Sequence, residues 1–126
     1  MTFHHIGITT RDIEKSINFY TTVLGFKETK AWGEGEKRIV MLENDDGACL
    51  ELFADGTNLL PEGAFRHLAL KVDNTRELFE KVKEYGAEIV SEPRDLDLPT
   101  QPPVPVTLAF FKGPDGEIIE LFQERK

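Results

Sequence analysis

The chain has 126 residues, 40% of them apolar and 30% charged, which is the composition of a single globular domain. Its formal net charge of −8 argues against a nucleic-acid partner or an anionic membrane surface, because both attract basic patches. With one cysteine, no secretory-signal pattern and no apolar run near the ~18 residues of a membrane span, the expected location is the cytoplasm.

The first half of the chain predicts a strand, a helix and three further strands. A short β-like run, HIGITT at residues 5–10, leads to a helix that Asp12 can cap and Gly25 can end. Strands follow at residues 25–32, 37–43 and 48–53, and the NDDG turn at 44–47 joins the last two. The apolar stripe of the helix is predicted from its spacing: Ile13, Ile17, Tyr20 and Leu24.

The second half predicts the same order of elements. The run HLALKV at residues 67–72 precedes a helix with Asn74 and Glu77 as a capping box and Gly86 at its end. The buried stripe of this helix is predicted to contain Leu78, Val82 and Tyr85. Strands are predicted at 87–91, 106–112 and 117–123. The segment LPTQPPVP at 98–105 has four prolines in eight residues and is predicted to be a loop, either a lid at a site or an ordinary connection.

The two halves are an internal repeat. DGACLELF at residues 46–53 and DGEIIELF at 115–122 have Asp, Gly, Glu, Leu and Phe at the same five places. HIGITT and HLALKV are a weaker pair at the start of each half. The repeat predicts one domain over residues 1–126, built from two βαβββ modules at about 1–60 and 61–126.

Four residues of the repeat are candidate metal ligands. Side chains alternate along a strand, so Glu51 and Glu120 each face away from two aliphatic neighbours and share a face with other apolar side chains. A carboxylate in such surroundings needs a partner or a metal. His5 and His67 begin the first strand of each half, and the four side chains converge if the two sheets face each other.

Two imidazoles and two carboxylates suit a borderline divalent ion such as Ni, Zn, Co, Fe or Mn. On a six-coordinate ion they leave two positions for water or substrate, as in catalytic rather than structural sites. A single strand histidine or glutamate is usually structural or solvated, so the prediction depends on the repetition of the pair. His4 has the opposite parity to His5 and is interpreted as structural or surface, and Cys49 as a small buried hydrophobe.

The chain resembles the vicinal oxygen chelate superfamily, the group of glyoxalase I and the bleomycin-resistance proteins. The matching stretches are HHIGITTRDIEKSINFYTTVLGF, LELF, RHLALKVDN and FFKGPDGEIIELFQ, which cover nearly the whole chain in order. The resemblance implies an α+β fold in which two βαβββ modules form cupped, mostly antiparallel sheets around a metal site. It also implies that His5, Glu51, His67 and Glu120 are the ligands, that the substrate is a small molecule and that the protein is a homodimer.

In this superfamily the metal binds vicinal oxygens of the substrate and acts as a Lewis acid. The resemblance implies that Glu120 is the principal general base and Glu51 its counterpart, in a lyase or isomerase acting on an α-hydroxycarbonyl or thiol-hemithioacetal substrate. Glutathione-dependent members have an arginine where this chain has Thr9 and an asparagine where it has Asp55, and eukaryotic members also have an arginine where it has Gly63. These departures argue against strict specificity for glutathione.

Two alternatives remain open. An epimerase of the methylmalonyl-CoA type has a similar opening and the same four ligands, and its CoA would favour basic residues such as Arg66, Arg94 and Lys112. A metal-free sequestering module of the bleomycin-resistance type would lack the His/Glu quartet. Thiol transferases and dioxygenases of the superfamily use two His and one Glu and would not need Glu51. The quartet therefore favours the lyase and the epimerase.

Overall fold

The first half of the chain folds into a four-stranded sheet with one helix. The computed structural model describes residues 1–61 and 63–126, which divide into two units, Met1–Leu60 and Pro61–Lys126. The first unit contains β1 (Ile6–Thr9), α1 (Ile13–Thr22), β2 (Lys27–Trp32), β3 (Ile39–Glu43) and β4 (Cys49–Phe53), with a 3₁₀ turn at Gly35–Lys37. The strand order is β1-β4-β3-β2, with β1 parallel to β4 and the other pairs antiparallel.

Helix α1 begins where the sequence predicts. The Asp12 carboxylate accepts a hydrogen bond from the Lys15 amide at 3.2 Å, which satisfies one of the free N–H groups of the first turn. Past the last helical residue, Thr22, the chain turns at Gly25, whose φ is 75°.

The buried stripe of α1 differs in part from the prediction. Ile17 and Leu24 are only half-buried, and the core side of the helix is formed by Ile13, Ser16, Phe19 and Tyr20. The segment INFYTTVL has apolar residues on two adjacent faces, so spacing alone could not decide which face meets the sheet. In the first unit α1 packs against β2, β3 and β4.

The second unit has the same architecture. It contains β5 (Leu68–Lys71), α2 (Thr75–Tyr85), β6 (Glu88–Leu98), β7 (Val104–Lys112) and β8 (Ile118–Glu124). The strand order is β5-β8-β7-β6, again with one parallel pair, β5 and β8. Both units therefore have the order βαβββ in a mixed, mostly antiparallel sheet, and the predicted α+β fold of two βαβββ modules is confirmed.

Helix α2 has the predicted caps. The Asn74 side chain accepts from the Glu77 amide at 3.1 Å, and Gly86 ends the helix with a φ of 94°. Its buried residues are Thr75, Phe79 and Val82, so Phe79 replaces the predicted Leu78 and Tyr85, which are half-buried.

The β6–β7 hairpin of the second unit corrects the prediction that residues 98–105 form a loop. The predicted strand at 87–91 continues to Leu98, and β7 already begins at Val104, so the loop shrinks to residues 99–103. Pro105 lies in β7 opposite Asp97, and its carbonyl accepts from the Arg125 amide just beyond the end of β8. The missing proline donor therefore falls at the end of the ladder, where it costs little. Pro93 lies at a register shift in β6, which is an edge strand.

Within the residues that the structure describes, no helix is both long and apolar enough to cross a membrane.

Candidate metal centre

The same pair of residues occupies the same place in both units. His5 immediately precedes β1, which runs parallel to β4 with Gly7 opposite Glu51. His67 immediately precedes β5, which runs parallel to β8 with Ala69 opposite Glu120. Since alternate residues share a face of a strand, each histidine lies on the same side as the glutamate of the neighbouring strand.

In each pair the imidazole reaches the carboxylate. His5 Nε2 lies 3.3 Å from Glu51 Oε1, and His67 Nε2 lies 3.1 Å from Glu120 Oε1. Divalent ions bind His nitrogen and carboxylate oxygen at about 2.1 Å, so two ligands at a right angle are about 3.0 Å apart and at the tetrahedral angle about 3.4 Å. Both distances fall in this range. They also suit a direct hydrogen bond between imidazole and carboxylate.

Glu120 is buried, Glu51 is half-buried and the two imidazoles are more open. The exposed fraction of the side chain is 15% for Glu51 and 8% for Glu120, against 38% and 39% for His5 and His67. Burial raises the pKa of Glu120 above its ordinary value, and the adjacent His67 opposes that rise. A carboxylate of raised pKa takes up a proton more readily than an exposed one, which suits a general base.

Each carboxylate is flanked by a small residue on one side and a large apolar one on the other. Gly7 and Ala69 lie opposite the two glutamates on the parallel neighbours. A Cβ at Gly7 would lie 3.1 Å from the Phe53 ring, so a larger residue there would require the ring to shift by a few tenths of an ångström. On the antiparallel side Met41 lies opposite Glu51 and Phe110 opposite Glu120.

The positions of Met41 and Phe110 beside the two carboxylates were not predicted from the sequence. Both follow from the turns at 44–47 and 113–116, since a hairpin turn fixes which residues face each other across it. The Phe110 ring meets the His67 ring edge-on, with centroids 5.5 Å apart and an interplanar angle of 81°. The aromatic contact limits the orientations of the His67 imidazole.

His4 is exposed, as expected of a surface residue, but it contacts a candidate ligand. Its Nδ1 lies 2.9 Å from Nδ1 of His5, and the two rings are T-shaped with centroids 5.1 Å apart. Cys49 is buried on β4, where burial and then the charge of Glu43 raise the pKa of its thiol.

The four predicted ligands thus occur as one pair in each unit. Across residues 1–61 and 63–126 no group of three or more His, Cys, Asp or Glu side chains is placed to hold a metal ion. One pair supplies two ligands, which is fewer than the three or four protein ligands of typical zinc sites. The quartet as a single site stays a prediction.

A family model described as the Glyoxalase/Bleomycin resistance protein/Dioxygenase superfamily matches residues 2–121 of the chain. The chain belongs to this superfamily. The resemblance predicted from the sequence is therefore confirmed.

Relatives in the superfamily match nearly the full length of the chain. The protein YwbC of Bacillus subtilis (strain 168) is 34% identical over 94% of this chain and 94% of its own length. A lactoylglutathione lyase of Escherichia coli O157:H7 is 30% identical over 96% of this chain and 91% of its own length. The crystal structure of a glyoxalase family protein from Enterococcus faecalis is 27% identical, covers 96% of both chains and has a TM-score of 0.76.

Proposed function

We propose that this protein is a divalent-metal-dependent lyase or isomerase of the glyoxalase I type. The observation that supports the proposal is the repeated His–Glu pair, which lies at equivalent register positions in the two units. The distance from the histidine Nε2 to the glutamate Oε1 is 3.3 Å in the first unit and 3.1 Å in the second. The proposed ligands of one metal ion per site are His5, Glu51, His67 and Glu120. Ni, Zn, Co, Fe and Mn all suit two imidazoles and two carboxylates.

The low exposure of the two glutamate side chains, 15% and 8%, supports a role beyond strand pairing. A largely covered carboxylate with one imidazole as its partner is only partly compensated, and the apolar Met41 and Phe110 beside the two carboxylates add no polar partner. A divalent ion would offset the charge of both carboxylates at once. The half-exposed histidines leave each pair open on the side from which an ion and a substrate would approach.

The proposed chemistry is a proton transfer next to a carbonyl. A bound divalent ion would supply Lewis-acid polarisation of adjacent substrate oxygens. Glu120 would take a proton from the hydroxyl-bearing carbon beside the carbonyl and deliver it to the carbonyl carbon. The hydroxyl proton passes to the former carbonyl oxygen, so the reaction is an isomerisation without net loss of atoms. Its buried position and raised pKa favour this role over the more exposed Glu51, which is the counterpart from the first unit.

The quartet requires the two pairs to meet at one ion. We propose that the two units act as one domain over residues 1–126 and that the protein forms a homodimer. The ion is then bound either by the two pairs of one chain or by one pair from each chain.

The proposed substrate is a small α-hydroxycarbonyl compound or a thiol hemithioacetal that is not restricted to glutathione. Thr9 lies at the end of β1, and Asp55 is exposed two residues beyond the end of β4. Both are four residues past a proposed ligand. The exposed carboxylate of Asp55 disfavours a substrate with a carboxylate at that end of the sheet.

The epimerase alternative receives less support. Lys112, one of three basic residues considered for CoA, is paired with Glu88 at 3.1 Å. Arg66 and Arg94 are exposed and stay candidates for a phosphate contact. A metal-free sequestering module would give the repeated His–Glu pairs no function in ligand binding.

The test is a metal titration of chelator-stripped protein, followed by turnover of methylglyoxal hemithioacetals formed with several thiols. The variants are Glu51→Gln and Glu120→Gln, each of which removes one charge with little change of volume. Glu124→Gln is the matched control, because Glu124 is an exposed carboxylate at the end of the same strand, β8.

The proposal predicts one ion per site in the wild type, weaker binding in both test variants and unchanged binding in the control. Loss of turnover in Glu120→Gln under metal saturation would support its role as base. Absence of metal binding, or equal binding by all four proteins, would refute the proposal and favour the sequestering module.

A further inference from the structure

The two candidate metal-binding imidazoles are held in different ways. The His5 ring contacts a second imidazole, that of His4, whose Nδ1 lies 2.9 Å from His5 Nδ1. In the second unit the residue at the position of His4 is Arg66, and the His67 ring is packed edge-on against Phe110. The repeat therefore preserves the His–Glu pair but not the group beside the histidine.

The two nitrogens of His5 face different partners. Nε2 points to Glu51 at 3.3 Å, and Nδ1 points to His4. A histidine nitrogen binds a metal through its lone pair, so it must carry no proton. If Nε2 is the ligand, the neutral ring keeps its proton on Nδ1, and that N–H requires an acceptor.

We propose that His4 is the positioning residue of the His5 ligand: its Nδ1 accepts the Nδ1–H of His5 and so holds the His5 ring in the tautomer that leaves Nε2 free for a metal. The T-shaped contact of the rings, with an interplanar angle of 89°, holds the donor and acceptor at this distance. The inference rests on the proposed metal-binding function.

The test compares two replacements of His4 that separate the acceptor from the ring. His4→Asn keeps an acceptor, since its Oδ1 occupies nearly the place of Nδ1, and His4→Phe keeps the ring contact without an acceptor. Thr2→Ala, at an exposed position of the same terminal segment, is the control. Zn²⁺ affinity is measured by competition with a chromophoric chelator, and the tautomers of His4 and His5 by long-range ¹H–¹⁵N NMR with and without Zn²⁺.

We expect His4→Phe to bind Zn²⁺ about 10-fold or more weakly, as is usual when an outer-shell partner of a ligand is lost. His4→Asn should retain most of the wild-type affinity for Zn²⁺. In the Zn²⁺-loaded wild type, His5 should carry its proton on Nδ1. Equal affinity of wild type and His4→Phe would overturn the inference and leave the proposed function intact. A metal shift on His4 itself, or equal weakening by both variants, would also overturn it. A wild type that binds no Zn²⁺ would refute the proposed function and this inference with it.

Discussion

Replacing Glu120 by Gln should have opposite effects on the metal-free and the metal-loaded protein. Burial raises the pKa of Glu120, so the folded protein holds that proton more tightly than the unfolded chain does. The free energy of unfolding therefore falls as the pH rises from the ordinary carboxyl pKa through the raised one. Glutamine has no charge to bury, so at pH 8 the metal-free variant should be at least as stable as the wild type, and the difference should vanish in acid.

The metal-loaded protein should show the reverse order. A metal present at 100 times its Kd stabilises the fold by about 2.7 kcal/mol. Unfolding entropy of about 2.1 cal/mol/K per residue, over 126 residues, converts 1 kcal/mol into about 4 °C, so the wild type should gain about 10 °C in Tm. Loss of an outer-shell partner lowers metal affinity by up to about 100-fold, and loss of a direct ligand should lower it by at least as much. At the same metal concentration the Tm of Glu120→Gln should then rise by only about 1.5 °C.

The assay is thermal denaturation of stripped protein at pH 8 with and without Zn²⁺ or Ni²⁺ at a concentration 100 times the wild-type Kd. Glu124→Gln should keep the full increase in Tm, because its exposed carboxylate lies outside the proposed site. An increase of about 10 °C in Glu120→Gln would show that this carboxylate does not bind the metal, and the reasoning from burial and register would be wrong.

Three further predictions concern the scaffold. Asp95→Asn should destabilise the protein at neutral pH and flatten its acid unfolding profile in urea melts. Hydrogen bonds from Thr107 and, to a smaller extent, Arg76 lower the pKa of Asp95. The ionised carboxylate therefore stabilises the fold above the ordinary carboxyl pKa, and this stabilisation is lost as the pH falls through the lowered pKa. An unchanged unfolding profile in Asp95→Asn would contradict this. Gly86→Ala should lower the free energy of unfolding by about 1 kcal/mol, because Gly86 has a φ of 94°. Gly63→Ala is the control and should be neutral in the same melts, because its new Cβ would have no atom within 4 Å and its φ is not positive. Native Cys49 should react with a thiol reagent at pH 8 far more slowly than in urea, because burial raises its pKa; equal rates would show an accessible thiolate.

The sequence was most informative where its signal was repeated. Each LELF or IELF strand placed its glutamate by parity, and the structure finds each carboxylate largely covered, beside the histidine that precedes the neighbouring strand. This worked because alternation along a strand is set by the backbone and survives small errors in the strand ends. The caps at Asp12, Asn74 and Gly86 were equally local and were found in place.

Properties that depend on the neighbouring element were predicted less well. The choice between Ile17 and Phe19 as the core side of α1 depends on how the helix lies on its sheet, which its own spacing does not specify. The length of β6 depends on its pairing with β7, and that pairing accommodates Pro105 at the end of a ladder. The proposal that both His–Glu pairs bind one ion concerns the assembly of larger parts, and no local pattern encodes that.

The outer hairpins of the two units have diverged while the strands that carry the pairs have not. β2 and β3 have six and five residues, whereas β6 and β7 have eleven and nine. Yet the register of β1 on β4 matches that of β5 on β8 residue for residue at the two carboxylates. The scaffold thus separates a part that tolerates insertion from a part that does not. For protein engineering, the loop at residues 99–103 is the place to graft new recognition segments, since lengthening it leaves the spacing between His67 and Glu120 across β5 and β8 untouched.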